Sequence, residues 1–372
     1  MKIFKDIVSV IDFGSSKITM LTGKEEVNKS FKLLSSVDID YDGYSSGEFI
    51  EPNNLKNQIM QAINSTEKEL QCNVGTLFVG VPAEFCFVTE KTLVKNFAKK
   101  VKITSKIINE LFDCDDEINS YTTHSIINKS PMYFILNEDN RTNEPIGQFA
   151  TKIQAVTSYV MVENNFKMQI GSILDSLGVK NYDFLSNTLS EAVGLLPEHK
   201  RNEGAILIDC GFISTSVCQV LGDGLKELKC FSMGGGYITA DLSRILEISY
   251  DEAEELKTQA IITLKSVGMD FYELQNGKKF GIKNVNEIIL ARLDKITELI
   301  KKCLSEFKME LPNYIPLYFT GGGLNFFEGI TDYLRKEYDR PIEMIKPNAM
   351  LYARPDLSSS ICLLDMAINM YK

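Results

Sequence analysis

The chain has 372 residues, 44% hydrophobic and 24% charged, with a formal net charge of −10. That is an ordinary globular composition, long enough for roughly two to four domains, each with its own buried core. The acidic balance weighs against a nucleic-acid partner, because phosphate contacts need clustered lysine and arginine.

Eight cysteines (Cys72, Cys86, Cys114, Cys210, Cys218, Cys230, Cys303 and Cys362) form no C-x-x-C pair. Several sit in apolar runs, so they read as small buried hydrophobes of a reducing compartment. The opening Met1-Lys2-Ile3-Phe4-Lys5-Asp6 lacks the apolar run of a secretory signal. No stretch reaches the ~20 apolar residues of a membrane-spanning helix, so a cytoplasmic protein is expected.

In chain order, Ile7–Asp12 and Lys17–Leu21 predict a hairpin across the turn Gly14-Ser15-Ser16. A polar stretch and the loop Gly43–Gly47 follow. Leu55, Ile59, Ala62, Ile63 and Leu70 have helical spacing, and Thr76–Val81 reads as a strand buried on both faces. Between Ala83 and Ala155 the texture changes. Strand-like pieces (Phe85–Val88, Met132–Leu136, Gln154–Val162) surround a helix predicted over Ser105–Ile118 and the turn-rich segment Asn137–Gly147, which together predict a small inserted α+β subdomain. Helix Asn164–Leu177, strand Asn181–Leu185 and helix Thr188–Leu196 then resume an alternation.

Ala205–Asp209, a turn opening at Gly211, and Ser216–Leu221 repeat the opening hairpin. Two copies of strand–Asp–x–Gly–turn–strand imply two related lobes facing one cleft. Asp241–Leu311 is predicted mostly helical with a hairpin near Gly277–Gly281. Strand Pro316–Phe319, the run Gly321-Gly322-Gly323, helix Phe327–Glu337 and an apolar C-terminal helix, Leu357–Tyr371, complete the chain.

Glycine-rich turns at strand ends expose several backbone N–H groups at once and so can cradle phosphate. Asp12-Phe13-Gly14-Ser15-Ser16-Lys17 is one, Asp209-Cys210-Gly211-Phe212-Ile213-Ser214-Thr215 a second, and Thr320-Gly321-Gly322-Gly323 a third. Gly234-Gly235-Gly236 precedes a helix. Glu254 and Lys257 share a helix face at i,i+3, a spacing that by itself fits a solvated salt bridge. His124 and His199 have no ligand partners at metal-binding spacing, and the acidic run Asp113–Glu117 reads as a solvated helix end.

Taken in order, these turns resemble the phosphate and adenosine motifs of the actin, 70-kDa chaperone and hexokinase superfamily. Thr188–Gly194 and Ser358–Leu364 are similar to its two crossing connector helices, with Cys362 where a glycine is usual. Within that superfamily the chain is most similar to the bacterial cell-division FtsA family. The carrying segments are Gly43–Ile50, Pro145-Ile146-Gly147, and the run from Arg201 through Gly234-Gly235 and Ile238-Thr239-x-Asp241 to Ala253-Glu254-x-x-Lys257.

The resemblance implies an α/β, actin-like two-lobed fold: a duplicated mixed sheet with flanking helices, and the α+β insert in the first lobe. Expected boundaries are 1–82 (first lobe), 83–157 (insert), 158–200 (first lobe, continued), 201–242 (second lobe), 243–311 (helical subdomain), 312–356 (second lobe, continued) and 357–372 (connector helix). The implied cofactor is ATP or ADP with Mg2+. Asp12 and Asp209 would flank the metal-bound phosphates. Gly14, Ser15, Ser16 and Lys17 would cradle them from one lobe and Gly211, Ser214 and Thr215 from the other. Glu254 and Lys257 would meet ribose and adenine, Gly322 and Gly323 would pack under the nucleoside, and Gly234, Gly235 and Gly321 would complete the cofactor-binding set. No catalytic residue is assigned, and at most a very slow ATPase is expected.

Two departures qualify the implied site. Phe212 and Ile213 stand where further glycine is usual. If the turn needs a left-handed φ at Ile213, it pays about 1–2 kcal/mol, and side-chain bulk crowds the terminal phosphate. Ser216 also replaces a usual acidic residue. The second departure is at the C-terminus: Leu357–Tyr371 contains no Lys or Arg and reads as a core helix, so no membrane anchor of the chain's own is expected. The implied role is a division adaptor that self-associates, binds the tail of a tubulin-like division protein and reaches the membrane through a partner. A type IV pilus assembly protein of the same fold, a small-molecule kinase and a nucleotide-free scaffold are the rivals.

Overall fold

The protein is described by a computed structural model over residues 7–26, 30–113, 122–262, 270–348 and 352–371. The chain opens with β1 (Ile7–Phe13), β2 (Lys17–Glu25) and β3 (Phe31–Asp40), an antiparallel meander. A small hairpin, β4 (Tyr44–Ser45) and β5 (Glu48–Phe49), leads into α1 (Pro52–Leu70), and β6 (Thr76–Val81) returns parallel to β1. The insert follows: β7 (Cys86–Lys102), α2 (Ser105–Asp113), β8 (His124–Leu136), β9 (Asn140–Thr142) and β10 (Phe149–Glu163). Then come α3 (Asn164–Ser176), β11 (Asn181–Ser186), α4 (Asn187–Leu195) and the short α5 (Glu198–Glu203).

The second half repeats the first. It contains β12 (Ala205–Cys210), β13 (Thr215–Leu221), β14 (Gly224–Phe231), α6 (Gly235–Leu246), α7 (Tyr250–Gln259), the hairpin β15 (Phe271–Glu273) and β16 (Lys279–Gly281), and α8 (Ile282–Ser305). It ends with β17 (Leu317–Thr320), α9 (Ile330–Tyr338), β18 (Ile342–Met344) and α10 (Ser358–Met370). The sheets run β11-β6-β1-β2-β3 and β18-β17-β12-β13-β14, matching strand for strand in order and direction. The sequence echo is thus a duplication of whole five-stranded mixed sheets, one per lobe.

The central strands are continuous apolar runs because helices cover both faces of each sheet. In the first lobe, Phe13, Phe49, Phe85 and Phe166 pack ring against ring beneath α1 and α3. The other face is covered by α10, whose Ile361, Leu363, Leu364 and Ile368 are buried against Val8, Val10 and Leu21. The C-terminal helix is therefore core, as its sequence predicts. It also crosses α4: Ser190 Oγ lies 3.3 Å from Met366 Sδ, and a Cβ placed on Gly194 would stand 2.7 Å from Cys362 Sγ. Cys362 can replace the usual glycine because the facing helix has a glycine opposite it.

Several elements differ from expectation. Phe31–Asp40 looked like a polar connection, yet it is edge strand β3; Val37 and Ile39 point inward while Asp38 and Asp40 face solvent. The insert's strands are much longer than predicted, with β7 spanning 17 residues. Helix α9 begins at Ile330, three residues later than expected, because Gly329 takes a left-handed φ of 91° at its cap. The predicted helix from Ser105 is present to Asp113; its continuation, Cys114 and the acidic run beyond Asp113 lie outside the described residues, as does the segment Met1–Asp6.

The insert forms its own sheet, β7-β10-β8-β9, with α2 over Leu93, Phe134 and Ile153. Its base also touches the second lobe. Ser158 Oγ donates to the Leu225 carbonyl at 2.6 Å, the Asp223 amide donates to Pro131 at 3.1 Å, and Lys226 pairs with Glu90.

The helix crossing yields the first prediction. Gly194→Ala lowers stability by about 1–3 kcal/mol, the usual cost of overpacking a tight contact. In a Cys362→Gly background the same change costs distinctly less. Urea unfolding of the four chains in a double-mutant cycle measures the coupling; strict additivity would show that the two helices do not meet at these residues.

Candidate functional site

The two hairpin turns are built alike. Each glycine amide closes its turn onto the carbonyl three residues on: Gly14 to Lys17 at 3.0 Å and Gly211 to Ser214 at 2.9 Å. Each turn follows a fully packed strand, so the aspartate two residues earlier, Asp12 or Asp209, is delivered to the floor of the cleft between the lobes. A cavity of about 230 Å³ lies there. Both turns, the start of α4, Glu254, Lys257 and the Gly321-Gly322 turn line it. It is smaller than the roughly 300–1,000 Å³ of small-molecule sites.

Most of the expected residues meet here. Asp12, Gly14, Ser15, Ser16, Lys17, Asp209, Gly211, Ser214, Glu254, Lys257, Gly321 and Gly322 line the cavity. Lys17 also pairs with Asp38 at 3.0 Å, so its ammonium is shared between the cleft and β3. Thr215, Gly234, Gly235 and Gly323 lie behind the lining. Thr215 donates its hydroxyl to the Met233 carbonyl at 2.7 Å, and the Gly235 amide donates to Gly211 at 3.0 Å. Gly323 donates to Cys210 at 2.7 Å. Gly321 has a φ of 88°, and a Cβ there would stand 2.1 Å from Asp209 Oδ1, so no other residue fits. These glycines let three turns stack on one another under the site.

Lys257 is 2% exposed, which rules out the solvated salt bridge that its spacing alone suggested. Its ammonium sits 2.7 Å from Glu254, which also accepts from the Thr239 hydroxyl at 2.5 Å. A buried ammonium with a single carboxylate partner, facing a cavity, is poised to accept a further acceptor.

The carboxyls on the floor of the cleft are only partly compensated. Burial, opposed in part by a 2.8 Å hydrogen bond from Asn187, pushes Asp12 up to about 6. Burial and the nearby Asp12 push Asp209 up to about 7. Glu191, one turn beyond Asn187 on α4, is raised well above the ordinary range by burial and by both aspartates. Glu191 Oε1 and Asn187 Oδ1 are buried without a hydrogen-bond partner among the described residues. All three carboxyls line the one cavity, but among the described residues no three acidic, histidine or cysteine side chains are grouped closely enough to hold a metal ion directly. Sequence reading did not assign Glu191 or Asn187. The available signal was their i,i+4 spacing on the first connector helix, which puts both on one face.

The two unusual residues of the second turn behave differently from expectation. Ser46, Gln71, Asn137, Glu247 and Asp339 are the non-glycine residues at positive φ among those described, so Ile213 carries no left-handed strain. Phe212 itself lines the cavity. The ring packs on Gly236, 5.5 Å below Lys257 Nζ and 6.5 Å from Tyr250. Ile213 points to Gly43 of the first lobe. The Ile213 amide is occupied by a hydroxyl: it donates to Ser15 Oγ of the opposite turn at 2.9 Å. One turn thus caps the other across the cleft.

A sequence profile of the family described as Cell division protein FtsA matches residues 206–362. The Cell division protein FtsA of Neisseria meningitidis is 21% identical over 98% of this chain and 90% of its own length. Among solved structures, the PilM-PilN type IV pilus biogenesis complex has a TM-score of 0.64 at 14% identity, covering 96% of this chain and 97% of that one. MreB5 of Spiroplasma citri bound to ADP has a TM-score of 0.58 at 10% identity, covering 99% and 98%. These likenesses span both lobes and agree on an actin-like fold.

The raised carboxyls fix a pH dependence. A carboxyl with an elevated pKa in the folded state holds its proton there more tightly than in the unfolded chain. Its effect on stability is most favourable below the unfolded value near 4 and is lost as pH rises toward the folded values of about 6 and 7. Without ligand, thermal stability therefore falls by the order of a few kcal/mol between pH 4 and pH 8 on account of this cluster. Asp209→Asn flattens that decline and raises the melting temperature at pH 8. Calorimetric scans at several pH values check this; a variant as steep as the parent chain would show that the cluster does not govern it.

Proposed function

We propose that this chain, an FtsA-like member of the actin-like superfamily, is a cell-division adaptor whose lobes close on an adenine nucleotide with Mg2+. The carrying observation is the convergence of Asp12, Asp209 and Glu191 with both turns and the buried Lys257 on one cavity between duplicated lobes. Asp12 and Asp209 would hold the metal through water, and the turn amides would meet the phosphates. Glu254 and Lys257 would reach the ribose and base. Bound Mg2+ supplies charge neutralisation for both the phosphates and the three carboxyls. The FtsA relatives support a division role, and an adenine nucleotide is bound in an MreB neighbour of the same fold.

In this reading the nucleotide is a conformational ligand more than a substrate. Ser15 Oγ occupies the Ile213 amide, so a terminal phosphate must displace an existing hydrogen bond to gain that donor. The net gain is correspondingly small, which favours weak discrimination between ATP and ADP and very slow turnover. Closure would favour self-association and binding of the tail of a tubulin-like division protein. A nucleotide-free scaffold is the second reading, favoured by the small cavity and the same Ser15–Ile213 contact.

Titration calorimetry separates the two. ATP and ADP bind with similar affinity in the presence of Mg2+, and Ser15→Ala strengthens ATP more than ADP by freeing the amide. Asp209→Ala weakens both by tenfold or more. Absence of heat with either nucleotide would move the protein to the scaffold reading.

The partner is tested by itself. A labelled peptide from the C-terminal tail of the tubulin-like division protein of the same organism binds the chain with a saturable anisotropy change, stronger with nucleotide present. A tail that never saturates would remove the partner from this proposal.

A further inference from the structure

The segment Lys91–Asn109 carries six lysines and no acidic residue, in a chain whose net charge is −10. It forms most of β7 and the start of α2, at the free edge of the inserted sheet. Lysines along an exposed edge commonly guard against edge-to-edge pairing. That accounts for Lys95, which Glu110 neutralises at 2.5 Å, but it does not account for the far end of the strand.

There the register breaks. Asn96 pairs with Lys152 and Val101 with Ala150, so the four residues Phe97–Lys100 stand opposite the single residue Thr151. Ala98, Lys99 and Lys100 in this bulge are exposed, as is Lys102. Among the described residues no acidic side chain pairs with Lys99, Lys100 or Lys102, and Lys106 reaches Glu110 only at 3.9 Å. Directly across from Lys102 lies Phe149, 56% exposed. Ile146, 58% exposed, tops the adjoining turn, whose Gly147 amide donates to Ile103 at 2.9 Å. An edge guard would not place two large apolar side chains in water beside its lysines.

The position of this tip matters as much as its composition. Phe149 lies nine residues along β10 from Ser158, where the insert meets the second lobe. At about 3.3 Å per residue that is about 30 Å. The Debye length is ~8 Å at physiological salt, so the acidic body is screened from whatever the tip approaches. Exposed lysines around exposed apolar side chains match the interfacial region of a bilayer, where anionic headgroups lie over an apolar interior.

We propose that this end of the insert docks on an anionic lipid surface, with Ile146 and Phe149 entering the headgroup layer and Lys99, Lys100, Lys102 and Lys106 lying over the lipid charges. This stands apart from the nucleotide reading and does not use the C-terminal helix.

The test is sedimentation of the full chain with vesicles of phosphatidylglycerol and phosphatidylcholine, against phosphatidylcholine alone, at low and high salt. The chain pellets with the anionic vesicles at low salt only. Each lysine near such a surface contributes about fivefold to partitioning, so Lys99→Gln, Lys100→Gln and Lys102→Gln together weaken it roughly a hundredfold. Phe149→Ser weakens it several-fold without changing the salt dependence. Lys283→Gln with Lys336→Gln, on the second lobe, leaves it unchanged, and circular dichroism verifies that each variant is folded. Failure to pellet with anionic vesicles overturns the proposal, as does pelleting that the triple variant retains. Lysine-dependent capture on an oligonucleotide column without vesicle binding would overturn it too, making the tip a polyanion site.

Discussion

Two aspartates are held in the floor of one cleft because two copies of the same hairpin face each other, and much of the molecule is arranged around that fact. Each strand must be apolar on both faces to bring its aspartate so deep, and each turn must begin with glycine to fold back so tightly. The first connector helix adds a third carboxyl, Glu191, where a neutral residue would have been less costly. Asn187 and Lys17 offset only part of the cost of burying Asp12, and the pKa values of the three carboxyls rise. A cleft of this kind carries buried charge that a change in its surroundings can relieve. Such relief can couple ligand binding to the relative position of the lobes.

The lobes meet through polar contacts that are easily exchanged. Ser15 bonds the Ile213 amide, Ser46 donates its amide to Ser232 at 2.9 Å, and Ser232 in turn bonds Glu84 at 3.0 Å. The two neutral bonds contribute only about 1 kcal/mol each, and the bond to the Glu84 carboxylate about 1.5–3 kcal/mol. The apolar joint lies elsewhere, at the crossing of α4 and α10, where Gly194 and Cys362 interlock. A packed pivot with weakly latched jaws can open without unfolding, which suits the small closed cavity seen here.

Much of this was legible in the sequence, for identifiable reasons. The duplicated Asp–x–Gly turns, the buried strands and the core character of the last helix all depend on local composition, which sequence displays directly. Elements that depend on their surroundings were hidden. Strand β3 presents acids on one face, so it resembled a loop until its partner β2 was in place. Glu191 looked like any helical glutamate, since nothing local says that two aspartates converge on it. The direction of Phe212 was invisible for the same reason. Its type suggested bulk in the second turn, but only the fold shows that the ring rests against Gly236. The basic tip of the insert was masked by averaging: a net charge of −10 is a statement about the whole chain and says little about one strand end.

The insert also bears on how the lobes can move. It grows from the first lobe between β6 and α3, yet its base is bonded to β14 of the second and to the turn before it through Ser158, Pro131 and Glu90. Opening the cleft must therefore strain one of two joints, the covalent roots of the insert or its contact with the second lobe. One root passes through Pro82 and the turn Ala83–Phe85, and the other runs from β10 directly into α3, so neither is a strand of the first-lobe sheet. The contact includes the buried hydroxyl of Ser158, which would lose its acceptor on separation, a cost larger than that of either neutral latch across the cleft. The economical motion keeps the insert seated on β14 and lets the first-lobe sheet rotate beneath it. On a strand some 17 residues long, a small rotation at the base becomes a displacement of several ångströms at the tip. Any rotation at the cleft would therefore be largest at the tip of the insert, far from Asp12 and Asp209.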